Sequence, residues 1–176
     1  MRFAFATATV LAFAGGPAFA DGHDAMKANA TLMGAEDAEH GTVTLQQTAA
    51  GVLLTAELKD VPAGVHAFHI HAVGTCEAGE GFKTAGGHFN PAGAKHGLLA
   101  EGGPHAGDMP NIHVPENGML TIEVLNTMVS LEDDAEATLF DDDGSAIMIH
   151  AGADDYETDP AGDAGPRIAC GVIEKN

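Results

Sequence analysis

Positive charge is what this 176-residue sequence has least of: seven Lys and Arg stand against 26 Asp and Glu, giving a net charge of −19 with neutral histidine. Such a surface repels nucleic acid and anionic membranes, so neither is expected as a partner. A small anion would be repelled too, unless local positive charge overrides the global field. Tryptophan is absent and tyrosine occurs once, at Tyr156, so nothing supports stacking on bases. The two cysteines, Cys76 and Cys170, do not form a C-x-x-C pair, which argues against thiol redox catalysis. No window reads as an amphipathic helix of ordinary length, and no unit of solenoid length repeats.

What is present begins with an export signature. In MRFAFATATVLAFAGGPAFA, Arg2 precedes an apolar run broken by Gly15-Gly16-Pro17, and Ala18-Phe19-Ala20 forms an A-x-A cleavage box. The run is too weak to anchor in a bilayer, and no second one follows. Residues 1–20 are therefore expected to be a secretory signal peptide, with residues 21–176 as one mature domain carrying a net charge of −20. In an oxidising compartment Cys76 and Cys170 are expected to pair, with two buried thiols as the alternative.

Short alternating segments dominate the mature chain. Val52, Leu54, Ala56 and Leu58 share one strand face, as do Leu120, Ile122 and Val124. ATLMG, GTVTLQQT, AEATLF, SAIMIH and RIACGVIE read the same way, separated by turn clusters such as PENG at 115–118. DDDG at 141–144 lacks the acidic spacing of an EF-hand and reads as a hairpin turn. The expected fold is all-β: an antiparallel eight-stranded barrel or sandwich of the Greek-key kind. Residues 72–117 and 151–166 fit no strand, and loops of that length are usually functional.

Ten histidines are the chief chemical signal. His23, His40 and His113 read as solvated or capping residues. In VHAFHIH, His69 and His71 lie two apart on a strand, on one face and roughly 7 Å apart at Cα. Two imidazoles so placed can converge on one ion. The following loop adds His88, His96, His105 and Asp108, and His150 ends a later strand. Together they predict a transition-metal site. His66 falls on the opposite face and reads as a packing residue with satisfied nitrogens.

GVHAFHIHAVGTC, GGHFNPAGAKHG, GPHAGDMPN, AIMIHAGADDY and GPRIACGV, in that order, resemble the copper/zinc superoxide dismutase family in its exported bacterial form. The resemblance implies a periplasmic enzyme that dismutates superoxide, with one copper and one zinc per subunit; exported members of the family occur as dimers and as monomers, and a homodimer is the leaning here. It implies copper on His69, His71, His88 and His150, and zinc on His88, His96, His105 and Asp108, with His88 bridging the two. Asp154 would tie His69 to His96, and Cys76–Cys170 would pin the long loop to the last strand. Arg167 would stand at the open side of the copper and attract the anion. Ala67 replaces a glycine common in the family, and Glu157 stands where a basic or neutral residue would aid steering, which leaves Lys83 and Lys95 as further cations. The competing reading is a non-catalytic periplasmic copper- and zinc-binding protein, which would need neither the bridging histidine nor Arg167.

Overall fold

A computed structural model describes residues 26–176, so the expected signal peptide and His23 lie outside the described residues. Ten strands form: β1 Lys27–Met33, β2 Glu39–Thr48, β3 Gly51–Leu58, β4 Gly64–His66, β5 Phe68–His71, β6 Ile112–Val114, β7 Leu120–Asn126, β8 Ala146–His150, β9 Arg167–Val172 and β10 Glu174–Lys175. Among the described residues there is no α-helix, only three short 3-10 turns. The all-β expectation holds.

Eight strands make one curled antiparallel sheet in the order β5-β8-β9-β1-β2-β3-β7, with β10 on β1, and β4 pairs with β6 in a separate ribbon. The path is of the Greek-key kind, because β3 bonds to β7 and not to β4, the next strand in sequence. Alternation drives the curl. Ala28, Ala30 and Leu32 of β1, Val43 and Leu45 of β2, and Val52, Leu54 and Ala56 of β3 are all buried in one core with Phe68, Ile70, Ile147 and Ile149. Each such Leu or Ile contributes about 1.5–3 kcal/mol by leaving water. Edge strand β7 alternates more loosely: Leu120, Ile122 and Val124 are half-buried, Thr121 and Glu123 exposed.

Three details differ from the sequence reading. AEATLF at 135–140 is not a strand: its backbone closes on itself through turns such as Thr138 N–H to Ala135 O, leaving one isolated bridge between Ser130 and Thr138. Its alternation buries Leu139 without any ladder. DDDG is a turn, with Gly144 N–H donating to Asp141 O, but it joins no hairpin. Conversely, β6 lies inside 72–117, where three residues before a proline were too few to read as a strand.

Candidate metal centre

β5 carries His69 and His71, and its position explains how the loop is held. One edge of β5 pairs with β8; the other is free and binds the loop main chain. Ile70 N–H donates to Gly107 O, Phe89 N–H to Ile70 O, and Ala72 N–H to Gly87 O. Isolated bridges thereby set His69 against Asp108 and His71 against His88. Only glycine fits at 107, because a Cβ there would overlap Ile70 O. The Cys76–Cys170 disulfide, 5.6 Å between Cα atoms, fixes the loop's first arm to β9 over a small cluster of Phe82, Ala85, Ala146 and Met148.

Two buried groups of ligand atoms result: His69, His71, His88 and His150 in one, and His88, His96, His105 and Asp108 in the other, all within 4.8 Å of one another in each. The outer nitrogen of each ring fixes what the inner one offers. His71 Nδ1 donates to Gly86 O at 3.0 Å, and His150 Nδ1 to Gly165 O at 3.2 Å, leaving their Nε2 atoms as lone pairs 3.4 Å apart. His69 Nε2 donates to Asp154 Oδ2 at 2.8 Å, leaving Nδ1 as a lone pair. His69 Nδ1 and His88 Nε2 are buried without a hydrogen-bond partner, an arrangement costing about 1–3 kcal/mol each if nothing else binds them. A cation among these four nitrogens removes that cost, and imidazole donors suit copper.

The second group has mixed N and O donors. Asp108 Oδ2 accepts the N–H groups of Gly97 and His105, both at 2.9 Å, which turns Oδ1 toward His88 Nδ1 at 2.7 Å and His96 Nδ1 at 3.1 Å. His96 Nε2 meanwhile donates to Asp154 Oδ1 at 2.9 Å. His96 thus faces a carboxylate from each ring nitrogen, Asp108 from Nδ1 and Asp154 from Nε2. A cation bound between Nδ1 and Asp108 would leave the ring's one proton for Asp154, and three imidazoles with one carboxylate suit zinc.

Burial holds His71 well below the ordinary histidine range, lowers His69 and His105, and takes His150 to about 3, so the rings are neutral donors at neutral pH. Burial alone would raise both carboxyls. Hydrogen bonds overcome it: His88 and Gly97 hold Asp108 well below the usual range, and His69 and His96 hold Asp154 at about 2.

Asp154 is itself clamped. Asn111 accepts Asp154 N–H through Oδ1 and donates from Nδ2 to Asp154 O, both at 2.8 Å, while Asn111 N–H donates to the Tyr156 hydroxyl at 2.7 Å. Neither Asn111 nor Tyr156 was singled out from sequence for this role; an isolated Asn carries no pattern. Gly162 lies so close that a Cβ would overlap Asp154 Oδ1.

Arg167 opens β9 and donates to Phe82 O at 2.6 Å and Gly86 O at 2.5 Å. It lines a cavity of about 330 Å³ with His71, His88, His105, His150, Asn90 and Pro160. Lys83, Lys95 and Glu157 are exposed and do not line it. His66 belongs to neither group and is a buried packing residue as expected, its nitrogens 2.8 Å from His150 O and Pro62 O, but it ends β4 and does not share a strand with His69 and His71.

An all-β chain with two adjoining ligand groups that share one histidine is, as a class, a dinuclear metalloprotein. The family model described as copper/zinc superoxide dismutase matches residues 39–173. The chain is 47% identical over 150 residues to "Superoxide dismutase [Cu-Zn] 1" of Aquifex aeolicus, covering 85% of this chain and 88% of that protein. It is 41% identical over 149 residues to a protein of the same family name from Caulobacter vibrioides, covering 84% and 85%. A crystal structure of a SOD-like protein from Bacillus subtilis superposes with a TM-score of 0.78 at 34% identity, over 82% of this chain and 96% of that one. The chain belongs to the copper/zinc superoxide dismutase family. It is an enzyme of that family, and copper and zinc are its cofactors.

Proposed function

We propose that His69, His71, His88 and His150 bind one copper, that His88, His96, His105 and Asp108 bind one zinc, and that superoxide is dismutated to oxygen and hydrogen peroxide in the cavity beside Arg167. The observation that carries this reading is the pair of unpartnered buried nitrogens, His69 Nδ1 and His88 Nε2, each in a group of four ligand atoms that a bound cation would satisfy. Copper held by the first group would supply one-electron redox chemistry, and zinc held by the second would supply positive charge beside His88.

The chain's own residues do the rest. Arg167 attracts and orients the anion: two carbonyls anchor its guanidinium, and its remaining N–H donors are free for an incoming ligand. Burial lowers its pKa, yet arginine stays protonated throughout the working range. Asp154 holds the rings of His69 and His96 in one orientation, and Asn111 holds Asp154. His88 Nδ1 faces Asp108 Oδ1 at 2.7 Å, which leaves its Nε2 directed at the first group.

The mature enzyme is residues 21–176, exported to the periplasm after cleavage behind Ala20; the disulfide and the bacterial relatives support that reading. It pairs as a homodimer, supported by exposed Met119, Leu125 and Met128 on and beside β7. The deciding experiment is a superoxide assay on metal-reconstituted protein with and without a copper chelator. Dismutation that the chelator abolishes is expected; full metal loading without dismutation would favour a metal-binding protein that is not catalytic.

A further inference from the structure

The loop between β8 and β9, residues 151–166, supplies Pro160 and Ala161 to the wall of the cavity that holds Arg167. The turn that carries them closes on itself. Asp155 Oδ1 accepts the N–H groups of Glu157 at 2.9 Å and Thr158 at 2.8 Å. Asp155 N–H donates to Gly162 O at 3.0 Å, and Gly162 N–H to Thr158 O at 2.7 Å. Residues 155–162 thus form a unit that must still be fixed against the rest of the site. Two of its side chains reach outside it. The Tyr156 hydroxyl accepts Asn111 N–H at 2.7 Å, and Asp159 Oδ1, next to Pro160, accepts the main-chain N–H of His96 at 2.9 Å.

We infer that Asp159 is a positioning residue for the anion: its bond to His96 N–H seats Pro160 and Ala161 as a cavity wall, while its charge opposes anion entry. The inference rests on the copper reading of the first ligand group. The seat is firm on the far side. Both ring nitrogens of His96 face carboxylates, and the next main-chain N–H, of Gly97, donates to Asp108 Oδ2. Asp159 is therefore anchored to a segment that cannot shift without disturbing the zinc group. The near side is firm as well. Proline locks its own φ and restricts the residue before it, so fixing Asp159 sets the direction in which Pro160 and Ala161 leave.

The role of the charge follows from placement. Asp159 is exposed, bonds to the main chain of a zinc-group residue and adjoins two wall residues, so a negative charge stands at the rim of the cavity. Burial lowers His105, another wall residue, and the Asp159 charge acts against that lowering, so its field reaches the wall. An incoming anion meets that field as repulsion, opposite to the pull of Arg167. Salt weakens the field of an exposed charge but leaves a hydrogen-bonded seat in place. Ionic strength therefore separates the two roles.

The test uses protein loaded with copper and zinc, its metal content verified, with azide as the probe anion and the azide-to-copper charge-transfer band as the readout. Asp159→Asn keeps an oxygen for His96 N–H and removes the charge; Asp159→Ala removes both. At low ionic strength Asp159→Asn should bind azide more tightly than wild type, by less than about tenfold for one exposed charge. At about 1 M salt, where the screening length is about 3 Å, the two should coincide. Asp159→Ala at that salt should bind azide at least about threefold more weakly, because the unseated wall no longer orients the anion. Wild-type affinity in Asp159→Ala at high salt overturns the seat, and so does an Asn variant as weak as the Ala variant. An Asn variant no tighter than wild type at low salt overturns the role of the charge. A wild-type protein that gives no azide band overturns the copper reading, and this inference with it.

Discussion

Arg167 and His71 meet at a single carbonyl: Gly86 O accepts Nη2 of Arg167 at 2.5 Å and Nδ1 of His71 at 3.0 Å. The cation that faces the anion and a ligand ring of the cage are therefore set by the same loop atom. The disulfide holds that loop to the strand that carries Arg167, so three long-range constraints converge within a few residues.

Arg167→Ala removes a cation from the cavity and two donors from the loop. Turnover should fall on the order of tenfold or more, since a charged cleft alters on-rates by about 10–10³. Metal content should stay at the wild-type level. Metal analysis beside the assay checks this: a loss of copper that matches the loss of activity would rule out a steering role. The salt dependence should flatten in the variant, because screening acts on charges beyond about 8–10 Å.

Asp154→Asn tests the tie between the two groups. Asp154 accepts from both His69 and His96, but an amide accepts on one side only and presents N–H to the other ring. Metal affinity should drop about 10–100-fold, as for other residues that orient ligand rings. Competition with a chelator measures it. Gly162→Ala should act in the same direction, because its Cβ must displace the Asp154 carboxylate.

Acid should destabilise the metal-free protein. His150 titrates at about 3 in the fold against 6.5 in the unfolded chain, and His71, His69 and His105 are lowered as well. Across that window the unfolded chain binds more protons, so stability is full above about pH 6.5 and falls as pH drops toward 3. Asp154, at about 2 against 3.8, adds a loss in the same sense at still lower pH. Urea midpoints of the apo protein, taken at about pH 7 and about pH 4.5, should show the lower value in acid. An unchanged midpoint would mean that the rings are protonated in the fold.

Reducing Cys76–Cys170, or replacing both residues by serine, should cost about 4–5 kcal/mol by the chain-entropy estimate for a loop of this length. Beyond stability, it frees the arm that carries Phe82 and Gly86, whose carbonyls hold Arg167. Activity per bound copper should therefore fall in protein that is still folded, which an assay normalised to copper content reads.

The core strands were legible because alternation is a local property: Val52, Leu54, Ala56 and Leu58 announce a buried face with no knowledge of what covers it. The same rule misread AEATLF, where Leu139 is buried by turns and not by a ladder, and it missed β6, which is only three residues long. The pairing of His69 with His71 was equally local. The alternation reads His66 onto the same strand, but it ends β4 in the separate ribbon, so the period of two does not link it to His69 and His71.

Residue types and their order thus determined the fold class, the candidate metal chemistry and the family resemblance, since these depend on periodicity and on the donor atoms available. Tertiary structure decided what depends on distance across the chain. It decided that the free edge of β5 binds the loop, that Asp154 spans His69 and His96, and that Asn111 and Tyr156 clamp Asp154. It also decided which nitrogen of each ring faces inward. Those are choices of hydrogen-bond partner, and the partners lie up to 85 residues apart.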